Sequence, residues 1–130
     1  MGNIGATFAT HPQRPPDPSL LEACVVACYD CGGVCAACSD ACLGEARVAD
    51  FVCCIRTCLD CSDVCLTTAR IVSRLTEPSP MVVEVQLTAC AEACLICPAE
   101  CEHHAAMHEH CRICAEARAT SPAARGSSLA

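Results

Sequence analysis

Six cysteines near the start of the chain are spaced so that they share one face of a helix. The steps between them are 4, 3, 4, 3 and 4 residues, the repeat at which a helix buries one seam of side chains. At a rise of about 1.5 Å per residue, the seam is about 27 Å long. Thiols in such a row bind soft metal ions, so we predict metal chemistry along this face. The six are Cys24, Cys28, Cys31, Cys35, Cys38 and Cys42.

The rest of the chain repeats the pattern. Of seventeen cysteines in 130 residues, fourteen form seven C-x-x-x-C pairs. On a helix, residues i and i+4 have Cβ atoms about 5–6 Å apart, so each pair can converge on one ion. We predict all of these pairs as ligands. Beyond the first six they are Cys54 with Cys58, Cys61 with Cys65, Cys90 with Cys94, and Cys97 with Cys101.

The donor set and the charge balance favour Cu(I). Two facing sulfurs suit a soft ion of low coordination number, whereas Zn(II) prefers four ligands in a tetrahedron. Each bound Cu(I) replaces one thiol proton, so a filled core stays close to neutral. Zn(II) with four thiolates leaves negative charge in a dry core, which is costly. Facing pairs from two helices can supply four sulfurs, so zinc or mixed-metal sequestration remains the alternative.

Three cysteines lie outside the pairs. Cys111 and Cys114 fit the seam of a short last helix, and we predict both as ligands. Cys53 lies about 100° from the seam of its helix. It either points into the core from the flank or is a surface thiol, and we expect a ligand.

A segment rich in histidine precedes the last helix. Cys, Met and His all bind copper, and this segment is the expected mouth of the bundle. The alternative is that polar residues gather at a turn. Around Met107 we predict metal ligands at His104, His108 and His110.

Other cysteine chemistry fits less well. C-x3-C-x2-C occurs four times, but only because steps of 4 and 3 alternate along the seam. A thioredoxin-like site needs one C-x-x-C beside a βαβ pattern, and no strand pattern is present. A redox-active or disulfide-bonded thiol scaffold remains a further alternative. No catalytic constellation stands out, so we do not expect an enzyme.

Helix signals divide the chain into an all-α four-helix bundle with a cysteine-lined core. Asp17-Pro18 and Ser79-Pro80 are typical of helix starts. They predict long helices from about 18 to 43, 48 to 75 and 80 onwards, with a kink or break near Pro98. A turn within about 102–106 then leads to a shorter C-terminal helix ending near 119, and one unbroken helix over 80–119 is the alternative. We predict a flexible arm over 1–16, the bundle over 17–119 and a disordered tail over 120–130.

Composition excludes several classes of partner. The net charge of −7, with no Lys and scattered Arg, argues against nucleic acid. We identify no uncharged apolar run of about 18 residues, so we expect no membrane span. The first twenty residues lack a basic region followed by an apolar run, so we expect a cytoplasmic protein with reduced thiols.

With these motifs the chain resembles the copper storage proteins, over roughly residues 20–118. The resemblance depends on the serial C-x-x-x-C pairs and on the segment ECEHHAAMHEHCRICAEA at 100–117. It implies a four-helix bundle that stores many Cu(I) ions on cysteine thiolates, and a homo-tetramer. Without an export signal the chain looks like the cytosolic branch of the family, and a copper-delivery protein is a further expected partner. Arg118 occupies the next seam position, so the last helix carries fewer thiols than is common in the family.

Overall fold

Five α-helices make up the described structure. The computed structural model describes residues 2–119, without the side chains of residues 118 and 119. The helices are α1 Gly2–Thr10, α2 Pro18–Leu43, α3 Val52–Val72, α4 Pro80–Ala105 and α5 Glu109–Ala119, and a 3-10 turn at Val48–Phe51 leads into α3. The predicted tail over 120–130 and the seam position of Arg118 lie outside the described residues.

The four helices α2 to α5 form a ring. Neighbours along the chain pack against each other, and α5 closes the ring by packing against α2. Because the connections are short, successive helices run in opposite directions. The predicted all-α four-helix bundle, with three long helices and a shorter last one, is confirmed.

Local sequence explains where the long helices begin. The side chain of Asp17 accepts a hydrogen bond of 3.1 Å from the Leu20 N–H, with Pro18 in the first turn. The side chain of Ser79 caps α4 in the same way, through the Val82 N–H. The helix α4 runs on through Pro98 to Ala105, so the predicted break does not occur. The turn before α5 falls at 106–108, slightly later than predicted.

The predicted flexible arm is wrong for residues 2–10, which form α1. Ile4 and Phe8 lie one turn apart on α1, and the helix packs against α2. The Phe8 side chain is 4% exposed and belongs to the core cluster. Burying this aromatic ring favours an ordered helix over a solvated arm.

The outer surface of α4 carries large apolar side chains as well. The helices α2 and α4 are each long and apolar enough to cross a membrane, by length and composition only. In the structure their cysteine faces point into the bundle, as the core face of a bundle helix does. On α4 the buried residues are all cysteines, and Val85, Leu95 and Ile96 face outwards.

Candidate metal centre

Sixteen of the seventeen cysteines are buried in the centre of the ring. Their sulfur atoms approach one another both within and between helices. Within α3, the Sγ atoms of Cys61 and Cys65 are 3.8 Å apart. Across the ring, Cys35 of α2 lies 3.6 Å from Cys97 of α4. The thiols thus form one continuous thiol column, defined as these sixteen cysteines.

The column contains groups of sulfurs that face one another. Within each group, all Sγ atoms lie within 4.8 Å of one another. A metal–sulfur bond of about 2.3 Å places the ligands of one ion about 3.8–4.0 Å apart, so these spacings fit ligands of shared ions. The groups are Cys38–Cys42–Cys54–Cys111, Cys38–Cys54–Cys58–Cys101, Cys35–Cys58–Cys97–Cys114 and Cys61–Cys65–Cys94.

The fourth helix borders only part of this column. The thiol of Cys31, in the middle of α2, lies 3.6 Å from the carbonyl oxygen of Ala117, near the end of α5. The cysteines between the level of Cys31 and the C-terminal end of α2 therefore face four helices. The cysteines on the other side of Cys31, such as Cys24 and Cys90, face only α2, α3 and α4 among the described helices.

Burial favours the protonated form of some thiols of the column, whereas hydrogen bonds from neighbouring thiols favour the thiolate at others. It raises the pKa of the Cys42 thiol, and a thiolate at Cys54 would raise it further. Burial likewise raises the pKa of Cys111 to about 11. Hydrogen bonds from neighbouring thiols, first that of Cys101, hold the pKa of Cys54 well below its ordinary value. Neutral thiols pack like small hydrophobic groups, which allows the bundle to fold before it binds metal.

One end of the column opens at the histidine-rich turn. We call this end the mouth; it is formed by residues 44–51 and 104–110. The Nδ1 atom of His110 lies 3.5 Å from the Sγ atoms of both Cys38 and Cys111. On its other side, His110 Nε2 lies 3.1 Å from Glu45 Oε1, the same oxygen that lies 3.2 Å from His108 Nδ1. His110 therefore connects the thiols to a polar group at the surface.

The other predicted mouth ligands take different positions. His104 stacks on Phe51 with ring centroids 4.4 Å apart, and His108 contacts the same ring edge-on. His104 is outside the thiol groups, so its role as a ligand stays a prediction. Met107 is 84% exposed, away from the thiols.

Cys53 is the one predicted cysteine ligand that the structure does not bring to the column. Its thiol is exposed on α3, whereas that of its neighbour Cys54 is buried. One helical step turns the side chain by about 100°, which is enough to point it outwards. Cys53 is therefore a surface thiol and does not point into the core from the flank, and its role as a ligand stays a prediction.

Glu45 is a site residue that sequence reasoning missed. It follows Gly44 directly, at the end of α2. In an up-and-down bundle, this end meets the turn before the last helix. Glu45 could therefore have been found from the expected proximity of the end of α2 to the histidine-rich turn, although it belongs to no sequence motif. The hydrogen bond from His110 holds the pKa of the Glu45 carboxyl below its usual value, so it is a carboxylate at neutral pH.

Comparison with known proteins identifies the family. The family model described as copper storage protein matches residues 17–125. The chain belongs to the copper storage protein family. The resemblance seen in the cysteine pairs and the histidine-rich turn is thereby confirmed.

Solved members of the copper storage family have the same fold. The structure of the copper storage protein Ccsp from Streptomyces lividans, loaded with 10 copper equivalents, has a TM-score of 0.90 at 42% identity and covers 95% of this chain and 96% of its own. A structure of the cytosolic copper storage protein from Streptomyces lividans with five coppers has a TM-score of 0.77 at 41% identity, covering 97% and 95%.

A curated relative from another genus also matches. It is the cysteine-rich protein YhjQ of Bacillus subtilis (strain 168), whose function is uncharacterized. The identity is 38% over 99 residues, which is 76% of this chain and 86% of the relative.

Proposed function

We propose that the sixteen thiols of the column are the ligands with which this copper storage protein holds many Cu(I) ions. The ligands would be the seven C-x-x-x-C pairs together with Cys111 and Cys114. His110 is proposed as a further ligand where the column reaches the mouth, because its Nδ1 faces two thiols. We leave Cys53 out of the proposed ligands because its thiol is exposed.

The observation that carries this proposal is that successive thiol groups share members. Cys38 and Cys54 both belong to two groups, and Cys58 links the second of these to the next. Separate four-thiolate zinc sites would compete for these shared sulfurs. Cu(I) accepts fewer ligands and leaves sulfurs free to bridge two ions, so a shared column suits it better than it suits Zn(II).

The charge balance of the core also favours Cu(I) over Zn(II). The thiols are buried, and uncompensated thiolates in such a core would be strongly destabilising. Cu(I) exchanges for a proton with no change of charge, so many ions can be added in sequence. Each four-thiolate zinc site would add about two negative charges to the same dry volume, on the simple count of ligand and ion charges.

The remaining parts of the proposal concern the setting of the protein. The cytosolic Streptomyces relative supports a cytoplasmic location. We propose a homo-tetramer, supported by the apolar outer face of α4 around Met81, Val85 and Leu95. A copper-delivery protein would dock at the mouth, where the column approaches the surface. The proposed role is storage and buffering, with no catalytic step. The division into a bundle over 17–119 and a tail stays a prediction.

An anaerobic Cu(I) titration of reduced protein against a chromophoric chelator tests the ligand assignment. We expect uptake on the order of one ion per buried thiol before the chelator competes. Saturation at one or two ions per chain would contradict it. Light scattering on the same samples tests the tetramer, which requires about four times the chain mass.

A further inference from the structure

The mouth contains a second group of metal-binding side chains that includes no thiol. Glu45, His108 and His110 each offer one ligand atom, and these three atoms lie within 4.8 Å of one another. Glu45 Oε1 is 3.2 Å from His108 Nδ1 and 3.1 Å from His110 Nε2. Each side chain is partly buried, so the group is open to solvent on one side.

Three separate parts of the fold hold these side chains in place. The Glu45 N–H bonds to the Cys42 carbonyl at 3.2 Å, which fixes the residue at the end of α2. The His108 ring packs edge-on against the buried Phe51 ring. His110 lies in the first turn of α5 with its other nitrogen against the thiols. The group is therefore positioned by the bundle and is not an accidental meeting of mobile surface side chains.

We propose that Glu45, His108 and His110 form a binding site for a divalent ion of borderline softness, with Zn(II) as the reference ion, separate from the thiol column. Two imidazole nitrogens and one carboxylate oxygen are a donor set that Zn(II) uses in proteins, with a water as fourth ligand. Bonds of about 2.0–2.1 Å in a tetrahedron put such ligands about 3.3 Å apart, close to the spacings around Glu45 Oε1. Cu(I) prefers sulfur ligands, which the thiol column supplies a few ångströms deeper in the bundle.

The position of His110 links this site to the thiol column. A neutral imidazole has one N–H and one free lone pair, so it binds a metal through one nitrogen and donates a hydrogen bond through the other. With Zn(II) on Nε2, the proton is on Nδ1 and faces Cys38 and Cys111. With Cu(I) on Nδ1, the proton is on Nε2 and donates to Glu45. His110 thus serves one site at a time, and Zn(II) at the mouth slows the uptake of Cu(I). This consequence rests on the proposed function, whereas the zinc site itself does not.

Zinc X-ray absorption on the metal-free, reduced full-length protein with one equivalent of Zn(II) tests the site. We expect nitrogen and oxygen neighbours at about 2.0–2.1 Å. Sulfur neighbours at about 2.3 Å would place the ion in the column and overturn the inference.

Variants in a chelator competition assay identify the ligands. His108→Ala and Glu45→Gln should each weaken the first Zn(II) equivalent at least tenfold. The control is His103→Ala, since His103 is exposed and its nearest acidic partner is Glu100 at 3.9 Å. Equal zinc affinity in all three variants would overturn the inference. Circular dichroism shows which variants are folded, and Glu45→Gln, which is nearly isosteric, supplies the test if His108→Ala is not.

The initial rate of Cu(I) uptake then separates the two proposals. One equivalent of Zn(II) should slow Cu(I) uptake in the unmodified protein several-fold, but not in Glu45→Gln. If Cu(I) fills the column while the first Zn(II) binds sulfur, the zinc site is wrong and the storage ligands stand. If Zn(II) binds nitrogen and oxygen but Cu(I) uptake stops at one or two ions, the storage ligands are wrong and the zinc site stands.

Discussion

The contact of α2 with α3 at Gly32 gives the sharpest stability prediction. The Gly32 carbonyl accepts a hydrogen bond of 2.8 Å from the Ser62 hydroxyl, so the two helices meet here. A Cβ added to Gly32 would lie 2.6 Å from both Cγ and Cδ2 of Leu66. At the next residue, Gly33, an added Cβ has nothing within 4 Å. Gly32→Ala and Gly33→Ala are therefore a matched pair that differs in packing.

The expected magnitudes follow from two opposing terms. Each substitution removes the disadvantage of Gly in a helix and gains up to about 1 kcal/mol. Gly32→Ala also forces Leu66 or α3 to move, and overpacking of this kind costs about 1–3 kcal/mol. The helix term cancels between the two variants. We expect Gly33→Ala to be more stable than Gly32→Ala by about 1–3 kcal/mol.

Urea unfolding of the reduced, metal-free proteins measures this difference. The Leu66→Ala substitution provides the control, because shortening this side chain should remove most of the cost of Gly32→Ala in a double-mutant cycle. Gly32→Ala should also weaken Cu(I) binding, because Cys61 and Cys65 of α3 lie on the same interface. Equal stability of the two alanine variants would refute the reasoning, since Gly32 would then not limit the approach of the helices.

Three further predictions concern pH, the first helix and the surface thiol. Burial raises the pKa of Cys111 from 9.0 to about 11. The contribution of the neutral Cys111 thiol to stability is therefore fully present below pH 9 and is lost as the pH rises to about 11. The urea midpoint of the metal-free protein should fall over this range, and that of the Cu(I)-loaded protein should not. Phe8→Ala should destabilise the protein by about 3 kcal/mol. This is the low end of the range for a buried aromatic side chain, because α1 packs against α2 alone among the described helices. The Cu(I) capacity should stay the same, and a loss of capacity would contradict this prediction. Cys53→Ser should leave the Cu(I) capacity unchanged, and Cys54→Ser should lower it by about one or two ions, because only Cys54 faces the column. Equal losses in a chelator titration would show that exposure does not decide which thiols bind Cu(I).

The sequence was sufficient for the bundle because its signals are local. Steps of 3 and 4 residues between cysteines specify a helix with one buried face, and Asp17-Pro18 and Ser79-Pro80 mark helix starts that the structure reproduces. The prediction of a flexible arm was wrong because Ile4 and Phe8 are only two apolar residues, which is a weak helix pattern. Their burial depends on packing against the surface of α2. Pro98 does not break α4, which keeps Cys94, Cys97 and Cys101 buried on one face.

The sequence alone determined the donor chemistry: sulfur in the core, imidazole at one end and the spacing that puts each pair on one helix face. Tertiary structure alone decided which sulfurs meet. Cys35 and Cys97 are 62 positions apart, yet their Sγ atoms are 3.6 Å apart, and this depends on how two helices are placed across the ring. The same is true of Cys53, which the ring leaves outside, and of Glu45, which becomes part of the mouth only because the end of α2 meets the turn before α5. Periodicity within a helix is fixed by backbone geometry, whereas contacts between helices depend on the packing of the whole bundle.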